Sequence, residues 1–121
     1  MAKHISQASI IEAPGNIPKI IQEVFGRVNS GDADISIAHM KSPAGWSEPG
    51  QTPEFAEYTY VLNGSLKVEL AGETLVISAG EAVTTSPGEW VRYSSPEEDG
   101  AEYIAICIPA FSPDLVHRDH Q

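Results

Sequence analysis

Apolar and polar residues alternate along most of this chain in short blocks, and turn-forming pairs separate the blocks. From Ile35 onward, one turn pair follows another at about eight to twelve residues, which is the spacing typical of an antiparallel sandwich or barrel. The turn pairs are Asn63-Gly64, Ala71-Gly72, Ala79-Gly80, Pro87-Gly88 and Asp99-Gly100. The pattern predicts an all-β domain of short antiparallel strands.

The alternation in residues 57–62 assigns side chains to the two faces of one strand, because successive residues of a strand point in opposite directions. One face, which we assign to the core, carries Glu57, Thr59 and Val61, and the other carries Tyr58, Tyr60 and Leu62. Asn63-Gly64 follows, and both residues tolerate the positive φ that a two-residue type I′ turn needs. We therefore predict a hairpin that joins this strand to residues 65–70.

Two other segments complete the expected organisation. Residues 102–108 are apolar on both faces, as in a strand covered by the core on one side and by a second layer or subunit on the other. Near the N-terminus, the apolar residues of 20–28 favour extended structure, with a helical turn at 18–23 as the alternative. We expect an N-terminal arm (1–30) that crosses to a partner subunit, a barrel (31–112) and a C-terminal tail (113–121).

Composition narrows the possible partners. The 121 residues are 41% hydrophobic, which is enough for one domain with its own core. The net charge of −10 repels phosphate backbones and anionic lipid headgroups, so neither nucleic acid nor a membrane is an expected partner. Cys107 is the only cysteine, and the start of the chain lacks the apolar run of a signal peptide, so we expect a cytoplasmic protein.

The segment from Gly45 to Gly64 resembles the first signature of the cupin barrels. That signature reads Gly, five residues, His, one residue, His, three or four residues, Glu, six residues, Gly. This chain keeps both glycines and Glu57, but it has Gln51 and Pro53 at the two histidine positions. The resemblance implies a small single-domain cupin of the RmlC-like type, with an antiparallel jelly-roll barrel (a double-stranded β-helix) that forms a homodimer.

The segment 80–95 resembles the second cupin signature, which contains a Pro-x-Gly turn followed by His and later Asn. When its second glycine is aligned on Gly88, the family histidine falls at Val91 and the asparagine at Ser95, and a slip of one residue puts Arg92 at the histidine position. Proline and valine have no donor atom for a metal. We therefore predict no cofactor, with a divalent ion held by atypical ligands (Glu48, Gln51, Glu57 and His39) as the alternative.

Glu57 is the predicted catalytic residue. The resemblance places its carboxylate inside the barrel, where burial without a metal raises the pKa of a carboxyl group and suits it to general acid–base work. The alternative is an ion pair or hydrogen bond that only closes the pocket. The predicted ligand-binding residues around it are Gln51, Glu48, His39, Arg92, Trp46 and Tyr93.

The remaining candidates have weaker support. Trp90, Thr59 and Tyr103 could also line the cavity, whereas Cys107 has the pattern of a packed small residue. The other histidines, His4, His117 and His120, are expected at the surface.

Three functions remain open from the sequence. The first is a metal-independent isomerase, epimerase or lyase acting on a small polar metabolite through Glu57, with Gln51 and Arg92 holding oxygen atoms. The second is a cupin that binds or senses a small molecule without catalysis. The third is a metal-dependent oxygenase with atypical ligands, which lacks the expected imidazoles.

Overall fold

The computed structural model describes residues 1–119, and their regular secondary structure is nearly all strand. The elements are β1 (Ser9–Ile10), β2 (Ile20–Phe25), β3 (Ser36–Ser42), β4 (Trp46–Ser47), β5 (Ala56–Leu70), β6 (Thr74–Ser78), β7 (Ala82–Thr85), β8 (Val91–Ser95), β9 (Ala101–Ile108) and the short helix α1 (Pro113–Val116). His120, predicted at the surface, and the end of the predicted C-terminal tail lie outside the described residues.

The strands form one curled antiparallel sheet, which confirms the predicted all-β barrel. The order is β1-β2-β3-β9-β5-β8-β4, and β6 and β7 also pair with β5. The first half of β5 pairs with β7 and β9, and its second half pairs with β6 and β8. Strand β5 therefore runs through both halves of the barrel and connects them.

The predicted hairpin at Asn63-Gly64 is wrong, because β5 continues through it. The pairing of β5 with β9 shifts register between Val61 and Asn63, and Gly64 has a φ of +72°. A side chain at Gly64 would overlap the backbone of Gly100, so this glycine allows a close crossing as well as a bend. The pair bends one strand from one half of the barrel into the other. The nearest true hairpin joins β5 to β6, where Leu70 N donates to Glu73 O at 2.8 Å.

Residues 20–25 are extended, as predicted, and form β2. This strand pairs with β3, and β1 pairs with β2, so both strands of the N-terminal segment belong to the sheet of the same chain. The loop between them is fastened to β4, because Asn16 N donates to Ser47 O (3.0 Å) and Ser47 N donates to Asn16 Oδ1 (2.8 Å). The N-terminal segment is thereby held against one end of the barrel.

The C-terminal segment is held against the loop between β4 and β5. Helix α1 is capped by Ser112, whose hydroxyl accepts from Asp114 N at 3.2 Å. Beyond the helix, Thr52 N donates to His117 O (3.1 Å), and Asp119 N donates to Gly50 O (2.8 Å). Within residues 1–119, no helix combines the length and apolar content that a membrane span requires.

The interior has a packed end and a second, smaller cluster. The packed cluster consists of Trp46, Val61, Leu66, Val68, Ile77, Val91, Tyr93, Ala101 and Tyr103. The smaller cluster contains Phe55, Cys107 and Val116, so Cys107 packs as a small buried residue, as predicted. Between the two clusters lies a cavity.

Candidate functional site

Glu57 lies on the inner face of β5, next to the cavity. It pairs with Thr85 on β7 and with Cys107 on β9, and it is 9% exposed. Its face also carries the buried Thr59 and Val61, which confirms the predicted side of the strand. A carboxyl group in such a place has lost most of its hydration, which disfavours its charged form.

The surroundings of Glu57 raise the pKa of its carboxyl group into the neutral pH range. Burial, and then the charge of the nearby Glu48, raise the pKa of Glu57 from its ordinary value of 4.5 to about 7. Lys19, a hydrogen bond with Tyr93 and Arg118 oppose this rise. At neutral pH, Glu57 is therefore present both as carboxylate and as acid.

Two neighbours of Glu57 complete its polar environment. Burial raises the pKa of Glu48 too, and the cations Lys19 and Arg118 oppose the rise. Burial and the charge of Glu57 raise the pKa of the Tyr93 hydroxyl well above its usual range, so this hydroxyl stays protonated and donates to Glu57. Burial likewise raises the pKa of Cys107, which stays a thiol.

Lys19 reaches the cavity from the start of β2. Its Nζ donates to the Tyr103 hydroxyl at 2.8 Å and lies 4.0 Å from the centre of the Trp46 ring. The second contact is a cation–π interaction with the negative face of the indole. The loop that precedes Lys19 is the one that Asn16 fastens to β4, so the barrel fixes the position of this cation.

Arg118 reaches the cavity from the C-terminal segment. Its backbone forms an isolated bridge with Gln51, and its guanidinium carbon lies 5.8 Å from the centre of the Phe111 ring. Its Nε is buried and has no hydrogen-bond partner among the described residues. A buried donor without a partner is energetically costly unless a ligand or water satisfies it.

Six charged side chains line one cavity: the cations Lys19 and Arg118 and the carboxyls of Glu12, Glu23, Glu48 and Glu57. None of the ion pairs found within 4.0 Å in residues 1–119 joins any two of them. Gln51, which is 4% exposed, also lines the cavity with its Oε1 unsatisfied. Glu23 is engaged by the backbone, since its Oε2 accepts from Val28 N at 3.0 Å and from Asn29 N at 2.8 Å. The other charged groups of the cavity are not joined to one another by ion pairs.

The cavity has a volume of about 70 Å³, which is room for a few water molecules or for a small ligand. Its walls are mostly apolar and aromatic, with Ile21, Met40, Phe55, Tyr103 and Phe111 among them. Apolar walls around a few polar groups are the usual composition of a small-molecule site.

Three residues predicted to bind ligand do not line the cavity. His39 lies on the outer face of β3, where its Nε2 is 2.6 Å from Glu102 Oε2. The reason is that Ser36 and Ala38, rather than the isoleucines beside them, face the interior of the barrel. The alternative of a divalent ion with atypical ligands therefore lacks His39 as a ligand.

Arg92 and Trp46 also lie outside the lining of the cavity. Arg92 is exposed, because it alternates with the buried Val91 and Tyr93, and its Nε donates to Glu69 at 2.7 Å. Trp46 is fully buried in the packed cluster, and its contribution to the cavity is indirect, through Lys19. Glu48, Gln51, Glu57 and Tyr93 do line the cavity together.

The secondary candidates divide in the same way. Tyr103 lines the cavity, whereas Thr59 is buried beside it, with an unsatisfied hydroxyl. Trp90 lies outside the cavity and donates from Nε1 to Asp119 Oδ2 at 2.9 Å. The predicted surface histidines His4 and His117 are exposed, and His117 Nε2 is 2.5 Å from Glu54 Oε2.

The residues at the family metal positions do not fit a transition metal. Pro53 and Val91 are buried but offer no donor atom, which leaves Glu57 and the Gln51 amide. The part of the chain from residue 1 to 119 contains no group of three or more His, Cys, Asp or Glu side chains placed to hold an ion. Lys19 and Arg118 supply positive charge to this cavity instead.

Sequence reasoning missed Lys19 and Arg118. Both lie outside the two signature segments, and a lysine before a strand or an arginine in a terminal segment is ordinarily a surface residue. The available signal was only the scarcity of cations, seven Lys and Arg against seventeen Asp and Glu. That imbalance does not say which cation faces inward.

Comparisons with known proteins support the fold and one family. A family model described as "Cupin domain" matches residues 38–107, more than half of the chain. A curated relative named Endoribonuclease YbeY, from Myxococcus xanthus (strain DK1622), is 38% identical over 106 residues, which cover 88% of this chain. The chain spans only 36% of that relative's length.

Solved structures give the same fold at low identity. The polyketide cyclase RemF from Streptomyces resistomycificus is 18% identical and superposes with a TM-score of 0.76 over 100% of this chain and 86% of its own. A predicted oxalate decarboxylase from Thermotoga maritima is 20% identical, with a TM-score of 0.73 over 90% of this chain and 99% of its own. At such identities the likeness shows the fold alone.

Proposed function

This chain is a member of the cupin-domain family, and we propose that its cavity is a metal-independent acid–base site for a small polar ligand, with Glu57 moving the proton. The observation that carries this proposal is the position of the Glu57 carboxyl, which is buried on the wall of the cavity, where burial raises its pKa to about 7. A general base is most effective when its pKa is close to the working pH, because both of its protonation states are then available.

The proposed reaction class is an isomerisation, epimerisation or elimination. The Glu57 carboxylate removes a proton from a carbon next to a carbonyl group, and the electron pair passes to the carbonyl oxygen as an enolate. The Glu57 acid then returns the proton to the other face or to another carbon of the same ligand. For an elimination, the electron pair instead expels a leaving group. None of these steps needs an oxidant or a second substrate.

The other groups of the cavity have defined tasks in this proposal. The protonated Tyr93 hydroxyl orients the Glu57 carboxylate, and Lys19 and Arg118 stabilise negative charge that develops on the ligand oxygen. Pro53 and Val91 at the family ligand positions support a mechanism without a transition metal. The mostly apolar walls keep bulk water away, which strengthens these electrostatic interactions.

Proton exchange in D₂O tests the proposal directly. The purified protein would be incubated with a panel of small oxo acids and hydroxy acids, and loss of the carbon-bound proton would be followed by NMR. Glu57→Gln should abolish exchange, and the matched control Glu73→Gln, an exposed carboxylate in the β5–β6 turn, should not. Saturable binding without exchange would favour the alternative function, a binding or sensing cupin.

We also propose a homodimer that forms through the outer face of β5 and β9. That face exposes Tyr58 (48%), Tyr60 (48%), Leu62 (37%) and Ile108 (46%), which is a contiguous apolar area on two paired strands. Sedimentation should show a dimer, and Tyr60→Lys should shift it to the monomer. A wild-type monomer at micromolar concentration would contradict the proposal.

A further inference from the structure

The two terminal segments bring two cations, Lys19 and Arg118, to the cavity. Lys19 comes from the start of β2, and Arg118 follows α1, so neither belongs to the strands that carry Glu57 or Tyr93. Both face the cavity without a carboxylate within 4.0 Å in the described part of the chain. Cations held in this way are available to a ligand.

On the premise of the proposed function, we infer that the ligand is a small hydroxy monocarboxylate, whose carboxylate is bound by Lys19 and Arg118 and whose hydroxyl donates to Gln51 Oε1. These three side chains line the cavity, and the hydrogen-bonding capacity of each is unused or only partly used.

Arg118 has the clearest unused donor. Its Nε is buried without a partner among the described residues, and its guanidinium carbon lies 5.8 Å from the centre of the Phe111 ring. A guanidinium presents its N–H groups as a fork that matches the two oxygens of a carboxylate.

Lys19 has donors left over as well. An ammonium carries several N–H donors, and the 2.8 Å hydrogen bond to the Tyr103 hydroxyl uses one. The Tyr103 hydroxyl in turn lies 2.9 Å from Ser42 Oγ, so this chain of contacts holds the ammonium in place. The remaining donors of Lys19 are free for a ligand oxygen.

Gln51 supplies the complementary acceptor. It is 4% exposed, and its Oε1 has no donor among the described residues. Its backbone is fixed from both sides, because Gln51 N donates to Val91 O at 2.9 Å and Gln51 also bridges Arg118. A buried carbonyl oxygen in this position calls for a ligand hydroxyl or N–H.

The cavity has no overall excess of positive charge, because its two cations are accompanied by four carboxyl side chains. Glu12 is exposed, and Glu23 Oε2 already accepts from Val28 N at 3.0 Å and from Asn29 N at 2.8 Å. The positions and unused donors of Lys19 and Arg118, rather than the total charge, favour a carboxylate on the ligand.

Three related probes test the inference by binding: lactate, its neutral amide lactamide, and propanoate, which lacks the hydroxyl. Binding would be measured by NMR titration of the backbone amides that line the cavity. We expect lactate to bind about tenfold more tightly than lactamide, and more tightly than propanoate. Equal binding of lactate and lactamide, or no saturable binding of lactate, would overturn the inference.

Variants then assign the contacts. Arg118→Gln and Lys19→Gln should each weaken lactate binding by about tenfold while changing lactamide binding little. Gln51→Met should remove the preference for lactate over propanoate. Arg92→Gln and Lys41→Gln are matched controls, since both side chains are exposed and lie outside the cavity, and they should leave all affinities unchanged. Unchanged lactate binding in both cavity variants would overturn the inference.

A readout on the wild-type protein avoids any dependence on variant folding. A bound carboxylate places negative charge beside Glu57, so saturating lactate should raise the pKa of Glu57, and propanoate should do the same. A Glu57 titration that lactate leaves unchanged would contradict binding in this cavity.

Glu57→Gln separates the two proposals. This variant should bind lactate at least as tightly as the wild type, because it lacks the opposing charge, and it should not exchange protons. If it retains exchange, the proposed function fails, but the ligand class stands as long as lactate outcompetes lactamide. If lactamide binds equally well, the ligand class fails, whatever the exchange experiment shows.

Discussion

Strand β5 contributes to both ends of the barrel interior, but one end is packed with apolar side chains and the other contains a cavity with polar groups. In the second half of β5, Leu66 and Val68 are fully buried among other apolar side chains. In the first half, Glu57 and Thr59 occupy equivalent inward positions beside a cavity. The packed end therefore supplies stability, while the cavity end keeps polar groups whose burial opposes stability.

The packed end gives the largest expected effect. Leu66→Ala should lower the free energy of unfolding by about 2–5 kcal/mol, because it removes a fully buried side chain and leaves a void. Urea denaturation followed by fluorescence measures this loss. The control Val76→Ala, at a position 60% exposed on the neighbouring β6, should change stability by no more than about 0.5 kcal/mol. A similar loss in both variants would mean that the packed end is not the stabilising region.

At the cavity end, removal of the buried charge of Glu57 should increase stability, and only at high pH. With its pKa raised from 4.5 to about 7, Glu57 favours the folded state fully below pH 4.5, and this contribution is lost as pH rises through 7. Above that pH, Glu57→Gln should therefore be more stable than the wild type, by about 3 kcal/mol at most.

The measurement for Glu57→Gln is thermal or urea unfolding across a pH series. Below pH 4.5 the variant and the wild type should be nearly equally stable. Glu73→Gln serves again as the exposed control and should show no such divergence. A variant that is less stable than the wild type at alkaline pH would show that the Glu57 carboxylate is stabilised, rather than strained, by its surroundings.

The smallest expected effect concerns the electrostatic coupling between Glu48 and Glu57. Glu48→Gln should bring the pKa of Glu57 below about 7, because the charge of Glu48 is the second cause of its rise. The pKa should stay above 4.5, since burial is the larger cause and remains. NMR titration of the side-chain carboxyl carbons measures both groups, and an unchanged Glu57 titration would rule out electrostatic coupling between the two carboxyls.

Local alternation was enough to predict the inner face of β5, but it was misleading at Asn63-Gly64. A type I′ turn and a bend in a continuing strand both require positive φ at this glycine, so the local signal is the same. The pairing of β5 with β9 selects the bend rather than the turn, and it includes a register shift that no local sequence pattern reveals. The glycine framework was therefore predictable, and its geometric use was not.

His39 was misplaced for a different physical reason. His39 has the same strand parity as Ile35 and Ile37, and large apolar residues usually face inward. In β3, however, the inward residues include Ser36 and Ala38, since small side chains are what leave room for a cavity. Strand β9 repeats the arrangement, with Ala105 inside and Ile106 outside. A hollow interior thus reverses the size rule that holds for a packed one.

The attachment of Lys19 and Arg118 to the terminal segments has a consequence for how related proteins diverge. The family match covers residues 38–107, and both cations lie outside it. Substitutions, extensions or exchanges at either terminus would therefore change the charge of the cavity without disturbing the strands that define the barrel. Two relatives with the same barrel signature could differ in ligand preference, and an alignment restricted to that signature would group them together. The terminal segments are where ligand preference can evolve most independently of the fold.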